Sequence, residues 1–491
     1  MGTAILAIDQ GTTSSRALVF DQRRQVIGLA QREFPQHYPA DGWVEHDAEG
    51  ILSDCLAVAR EALHRSGLAA QHIAAIGITN QRETVVLWER ASGRPVARAI
   101  VWQDRRTASS CAQLKAEGHE PLVQSRTGLL LDPYFSATKL AWLLDNVPGA
   151  RGRAEAGELA FGTIDSFLLW HLTEGRSHRT DVTNASRTLL YDIHAQRWCT
   201  ELLALFRVPA AVLPEVCDSA GDFGSTTLLG GKIPIRGVAG DQQAALVGQS
   251  CLAAGQAKIT YGTGGFMLLN TGAEAVASHN RLLTTVAYRI DGATSYALEG
   301  SLFVAGAAIK WLRDSLGIIV DAAQTQEMAA RLPDNGGVYM VPAFVGLGAP
   351  HWTTEARGTL TGLTFDSGPA HIARAALESV AFQTADLVAA MSADGAGPLA
   401  ALRIDGGMAA NDWFCQFLAD VLDIAVERPA SLETTALGAA MLAGHASGAW
   451  PGVLDASGAP GELARFAPAL DAGRRARLLE GWHKAVQRTI S

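Results

Sequence analysis

Apolar residues fill positions 5–8 and return at 17–20, while Asp9, Gln10, Gly11, Thr12, Thr13, Ser14, Ser15 and Arg16 stand between them. Two short apolar runs around a polar turn predict a pair of buried strands. After Asp47, a natural N-cap, Ile51, Leu52, Cys55, Leu56, Ala59 and Leu63 recur at steps of three and four and predict an amphipathic helix. Residues 73–79 read as a buried strand that empties into Asn80, Gln81, Arg82 and Glu83. A late helix is expected over 371–391, with Ile372, Ala376, Val380, Thr384, Leu387 and Met391 along one side and its end near Gly395. Apolar runs alternating with helical periodicity predict an α/β fold.

The pattern is duplicated. ITYGTGGFMLLN (259–270) repeats the opening form of strand, Gly-Thr turn and strand, and ALRIDGGMAAND (401–412) repeats the strand and polar turn of IAAIGITNQRE. A chain of 491 residues exceeds one comfortable core, so two domains of related plan are expected, 1–247 and 248–491, joined in the Gly/Ala-rich stretch 248–258.

Composition then narrows the function classes. The net charge of −9 is spread along the chain and gives nucleic acid no footing. Six scattered cysteines, Cys55, Cys111, Cys199, Cys217, Cys251 and Cys415, form neither a disulfide framework nor a zinc pattern, which fits a reducing cytoplasm. The start MGTAILAIDQ, including Gly2, carries no export or lipidation pattern, and no apolar run approaches a membrane span.

The Gly-Thr-Thr-Ser-Ser turn offers unobstructed backbone N–H groups and hydroxyls suited to phosphate oxygens, with Arg16 as a planar cation and Asp9 placed for a magnesium ion or its waters. Taken alone, it reads equally well as a surface loop capped by Asp9. The second turn, Gly262-Thr263-Gly264-Gly265, favours phosphate, because two turns, one per domain, can grip a polyphosphate from both sides. Other nucleotide signatures fail: Gly230-Gly231-Lys232 lacks the P-loop's first Gly and its hydroxyl, and Asp222-Phe223-Gly224 stands without the other protein-kinase motifs.

The ordered series DQGTTSSRA, GWVEHD, GITNQRET, NASRTLLYD, AGDQQAAL, YGTGGFML and VPAFVGLGAPHW resembles the FGGY family of carbohydrate kinases, and within it the members that phosphorylate glycerol. Two further signatures match: Tyr134-x-Ser136-x-x-Lys139-Leu140-x-Trp142, and Gly358-x-Leu360-x-Gly362-Leu363 running into His371. The resemblance covers nearly the whole chain.

It implies a two-domain actin-like ATPase fold with ribonuclease-H-like cores, an interdomain cleft, ATP and Mg2+ as cofactors, and a dimer or tetramer in the cytoplasm. Residue by residue it implies that Gly11, Thr12, Thr13, Ser14 and Arg16 hold the ATP phosphates with Asp9 at the magnesium. Thr263 and Gly264 would meet the phosphates from the second domain, with Gly306, Gly407 and Asn411 near the nucleoside. For the acceptor it implies Arg82, Glu83, Trp102, Tyr134, Asp241, Gln242 and Phe266, with Asp241 as the general base.

Without the resemblance, the same residues have plainer readings: Trp102, Tyr134 and Phe266 as core aromatics, Arg82 and Glu83 as a solvated pair, and Asp241 as a helix N-cap. Three positions depart from the family pattern. Lys310 stands where Gln is usual near the nucleotide, Gly265 precedes Phe266 where Cys or Ser is usual, and the loop 228–237 is shortened and lacks the Arg associated with feedback by fructose 1,6-bisphosphate. Phosphorylation of a different polyol or ketose, or an actin-like nucleotide sensor that transfers nothing, are the competing expectations.

Overall fold

The computed structural model describes residues 3–353, 355–397, 399–455 and 463–491; Met1 and Gly2, part of the start weighed for export and lipidation, lie outside the described residues. Strand β1 (Ala4–Gln10) is buried along its whole length, which is why it is written as an unbroken apolar run up to Asp9. Strands β2 (Ser14–Phe20) and β3 (Val26–Glu33) add to it antiparallel. Helix α1 (Ala48–Ser66) starts where expected. The Asp47 carboxylate accepts from the N–H groups of Glu49 and Gly50, and Gly67 closes the helix in the left-handed region at φ 70°. Ile51, Cys55, Val58, Ala59 and Ala62 form its buried stripe.

Strand β4 (Ile73–Asn80) lies parallel to β1. Helix α2 (Ser136–Asn146) follows, and then β5 (Ser225–Thr226), β6 (Ile233–Gly240) and helix α3 (Asp241–Gly248). The first sheet runs β5-β6-β4-β1-β2-β3.

The second lobe is built from β7 (Ala257–Tyr261), β8 (Gly265–Gly272), β9 (Leu283–Ile290) and β10 (Ala293–Leu302), then α4 (Gly306–Asp314) and α5 (Pro369–Ala393). It continues with β11 (Ala401–Asp405), α6 (Asp412–Leu422), β12 (Ala425–Pro429), α7 (Thr434–Ala446), β13 (Leu463–Phe466) and α8 (Ala472–Ile490). The late helix extends two residues beyond its expected span at each end. Its sheet runs β9-β10-β8-β7-β11-β12-β13.

In both lobes an antiparallel hairpin around a polar turn is joined by a strand parallel to its first arm: β1 and β2 with β4, β7 and β8 with β11. This is the two-domain actin-like architecture with related cores. The turns, the segment after β4 and the start of α3 all follow the carboxyl ends of parallel strands, the edge where open α/β sheets bind ligands.

Helix α7 departs from the simple division of the chain into halves. It packs on β4, β6, β1 and α3 of the first lobe. The approach needs glycine on both sides: a Cβ on Gly438 would lie 1.8 Å from the Ala244 carbonyl oxygen, and one on Gly248 would lie 1.9 Å from that of Thr434. Among the described residues, no helix is long and apolar enough to cross a membrane. Gly438→Ala should overpack the α3–α7 contact and cost about 1–3 kcal/mol, read as a lower urea midpoint; an unchanged midpoint would contradict this packing.

Candidate active site

The first turn is held from behind. Its Gly11 N–H donates to the Ser14 carbonyl at 2.9 Å, and Gln36 Nε2 donates to the Thr12 carbonyl at 3.0 Å. His46 Nε2 contacts Gln36 Oε1 at 2.6 Å, while Gln81 Nε2 lies 3.3 Å from His46 Nδ1 and 3.0 Å from Gln10 Oε1. Burial, reinforced by His37, pushes the His46 imidazole down to about 4. A neutral ring can then donate from Nε2 and accept at Nδ1, which makes it a rigid link in this chain of side chains. Thr13 is exposed, and Gly11, Thr12 and Ser14 are half-buried, so the front of the turn stays open.

Arg16 is gripped on two sides, by Asp9 and, at 2.8 Å, by Glu433 from the segment leading into α7. The Asp9 charge, with Glu433 behind it, raises the guanidinium pKa. Thr434, next in sequence, donates to the buried Asp405 carboxylate at the end of β11. One short segment thus ties the first turn to the second lobe's sheet.

The residues expected at the acceptor lie close together between the lobes. Trp102 and Tyr134 meet edge to face with centroids 5.5 Å apart, and Phe266 from the second lobe stands 6.4 Å from Trp102. All three are half-buried, and Tyr134 also packs against a buried apolar cluster. Trp102 Nε1 also donates to Thr12 Oγ1 at 2.9 Å, joining this wall to the first turn.

Asp241 is the first residue of α3 and Gly240 is its cap; the Asp241 carboxylate accepts from Gln242 N–H at 2.7 Å. About 33% of that side chain is exposed. Burial of the rest raises its pKa, against the opposing charges of Arg82 and Lys258. Gln242 is buried beside it, its Oε1 accepting from Lys258 Nζ at 2.6 Å.

Arg82 and Glu83 are not a solvated pair: their side chains are 2% and 1% exposed. A guanidinium stripped of water needs counter-charges, and the fork of Arg82 is taken by Glu299 of β10, at 2.6 and 3.0 Å. Its Nε faces Asp241 Oδ1 at 3.2 Å, and Glu83 Oε1 accepts from Arg187 Nε at 2.6 Å.

The family signatures acquire structural roles here. Lys139 Nζ donates to the carbonyls of Pro133, Tyr134 and Phe135 at 2.7, 2.7 and 2.8 Å, and Ser136 Oγ donates to the Glu83 carbonyl at 3.0 Å. Together they fix the turn bearing Tyr134. Within GWVEHD, Val44 N–H donates to Asp104 Oδ2 at 2.6 Å and Glu45 pairs with Arg106 at 2.8 Å, which secures the loop carrying Trp102.

The second turn is more open, with Gly262 and Thr263 exposed and Gly264 half-buried. It docks on the start of α4: Gly306 N–H donates to the Gly262 carbonyl at 3.0 Å, and the N–H groups of Ala305 and Ala307 donate to the Thr263 carbonyl at 2.9 and 3.0 Å. Lys310, also on α4, is exposed. Gly265 is buried against the Leu302 side chain. Gly407 begins a short 3-10 turn after β11, and Asn411 caps α6 by accepting from Phe414 N–H at 2.9 Å.

Glu299, Lys258, Glu433 and Asp405 were not singled out by sequence reasoning. For Glu299 and Lys258 the available signal was one charge set inside an apolar strand, as in YALEG and AKITY.

Two family models match the chain, the N-terminal domain of the FGGY family of carbohydrate kinases over residues 4–248 and its C-terminal domain over residues 257–447. The chain belongs to the FGGY family of carbohydrate kinases. It is 63% identical over 489 residues to a glycerol kinase of Rhodospirillum centenum, covering 99% of this chain and 98% of that one. To a glycerol kinase of Gluconobacter oxydans it is 61% identical, covering 99% and 95%. The crystal structure of Plasmodium falciparum glycerol kinase with ADP superposes with a TM-score of 0.92 at 36% identity, covering 99% of this chain and 98% of that one.

For magnesium, this FGGY chain offers few donors of its own: among the described residues, no group of three or more His, Cys, Asp or Glu side chains is placed to hold a metal ion. Mg2+ needs only one or two carboxylates when phosphate oxygens and water complete its shell, and the carboxylate beside the first turn is Asp9, which is paired here with Arg16. Lys139→Met should orphan three carbonyls of the Tyr134 turn and lower stability by about 1.5–3 kcal/mol in urea denaturation. A variant as stable as the parent would mean that the ammonium does not brace this turn.

Proposed function

We propose that the chain catalyses ATP-dependent phosphorylation of glycerol to sn-glycerol 3-phosphate, with magnesium bound alongside the nucleotide. One observation carries the reading. The partly exposed Asp241 carboxylate and the Arg82 guanidinium sit on a cleft floor walled by Trp102, Tyr134 and Phe266, and that floor adjoins the first phosphate turn through Trp102 and Thr12. The relatives named above, at 61–63% identity, support glycerol as the acceptor.

A small triol suits such a floor. Arg82 Nε donates, the carboxylates of Glu83 and Asp241 accept, and aromatic faces cover the carbon chain. Gly11, Thr12, Thr13, Ser14 and Arg16 would hold the phosphates from one lobe, and Thr263 and Gly264 from the other. The nucleoside would lie toward Gly306, Gly407 and Asn411, and Asp9 would take the magnesium. When bound, that ion supplies charge neutralisation at the phosphate oxygens.

In the step itself, Asp241 removes the proton from the attacking hydroxyl. The hydroxyl oxygen forms a bond to the γ-phosphorus while the bond from that phosphorus to the ADP oxygen breaks. ADP leaves with the bond's electron pair, and Asp241 later releases its proton to water. Alignment by two rigid turns and the Arg16 charge would carry much of the remaining acceleration.

Asp241→Asn should lower kcat by roughly 10² to 10⁴ with the fold intact, and unchanged turnover would remove Asp241 from the step. A base works only when deprotonated. Because partial burial raises the Asp241 pKa, kcat/KM should fall on acidification through a limb set above the ordinary aspartate value of about 3.9; a limb at or below that value would contradict the assignment. A coupled assay across glycerol, dihydroxyacetone, xylulose and ribulose tests the acceptor. Glycerol should give the highest kcat/KM, and preference for a ketose, or ADP release without a phosphorylated acceptor, would overturn the reading.

A further inference from the structure

We propose that Glu299 is the positioning residue through which the second lobe sets the acceptor-binding posture of Arg82. The inference rests on the cleft floor being the polyol site.

Glu299 lies on β10 and is 1% exposed, yet both its carboxylate oxygens leave their own sheet to meet first-lobe side chains. Oε2 accepts from Arg82 Nη1 at 2.6 Å, and Oε1 accepts from Arg82 Nη2 at 3.0 Å and from Arg187 Nη2 at 2.9 Å. Arg187 is fully buried and is itself held by Glu83 at 2.6 Å. Two arginines and two glutamates thus close a neutral buried square, with one corner contributed by the opposite lobe. Burial alone would raise the Glu299 pKa, but Arg187 and Arg82 drive it down to about 2, so the carboxylate is charged at every working pH.

The square decides which face of Arg82 meets a substrate. With the fork occupied by Glu299, and Gln243 Oε1 also accepting from Nη1 at 3.2 Å, the Nε edge is left toward Asp241 and the open cleft. Tyr134 hydroxyl stands 3.4 Å from Nη2 and bounds the other side. Without Glu299, the buried guanidinium would turn its fork onto the nearest remaining carboxylate, Asp241, obstructing the acceptor and pairing off the base. A planar fork held bidentately is directional in a way that a lone charge is not. Because the carboxylate comes from the other lobe, separating the lobes would release Arg82, which links acceptor recognition to lobe closure.

Glu299→Asp keeps the charge and withdraws it by one methylene; Glu299→Gln keeps the shape and removes the charge. The readouts are KM for glycerol, KM for ATP, kcat, and folding by circular dichroism and thermal melting. A folded Glu299→Asp should raise the glycerol KM by about tenfold or more while the ATP KM stays within about twofold, and Glu299→Gln should exceed it. A glycerol KM within about twofold of the parent in both variants would overturn the proposal. So would equal rises in both KM values, a fall in kcat alone, or failure of both variants to fold, which would assign Glu299 to stability only. Failure of the underlying functional reading looks different, because the unaltered protein would then form no glycerol phosphate.

Discussion

The cost of burying the Arg82 guanidinium organises the centre of this molecule. A cation removed from water at that depth must be matched by carboxylates with good geometry, and an unmatched one would be strongly destabilising. Within the first lobe, Asp241 reaches only Nε and Glu83 is committed to Arg187, which leaves the fork of Arg82 unmatched. The second lobe supplies the match through Glu299, so the pairing that neutralises Arg82 also ties the two sheets together. Asp241 and the aromatic wall are arranged around that fixed point.

Away from the floor, the lobes are tied by backbone approach. Helix α7 comes from late in the chain but lies on the first lobe's strands, which is possible only because glycines at 77, 248 and 438 leave room for carbonyl groups. The residues just before and at its start reach Arg16 and Asp405, so the same helix connects the first turn to the second sheet.

Much of this was legible in the sequence, for identifiable reasons. The helix after Asp47, the strand over 73–79, the late helix and the duplicated hairpins each rest on local periodicity, and the structure has them within a few residues of where they were expected. The return of α7 to the first lobe was not legible. Its sequence, TTALGAAMLAGHA, is small and apolar on nearly every side, so no stripe points to a partner. Nor was Glu299: its bond to Arg82 spans 217 positions, and one acid inside an apolar strand gives no hint of what it faces. The plain reading of Arg82 and Glu83 as a solvated pair failed because burial between the lobes is set by tertiary packing, while the three aromatics lie between core and surface, half-buried.

The central claim is that the two lobes present their turns to one triphosphate while Asp241 faces the attacking hydroxyl. A crystal structure of the chain with a non-hydrolysable ATP analogue, magnesium and glycerol tests it most directly. The account predicts the terminal phosphate between residues 11–16 and 262–264, with a glycerol hydroxyl hydrogen-bonded to Asp241. A triphosphate lodged away from the first turn, or a glycerol molecule out of reach of Asp241, would contradict it.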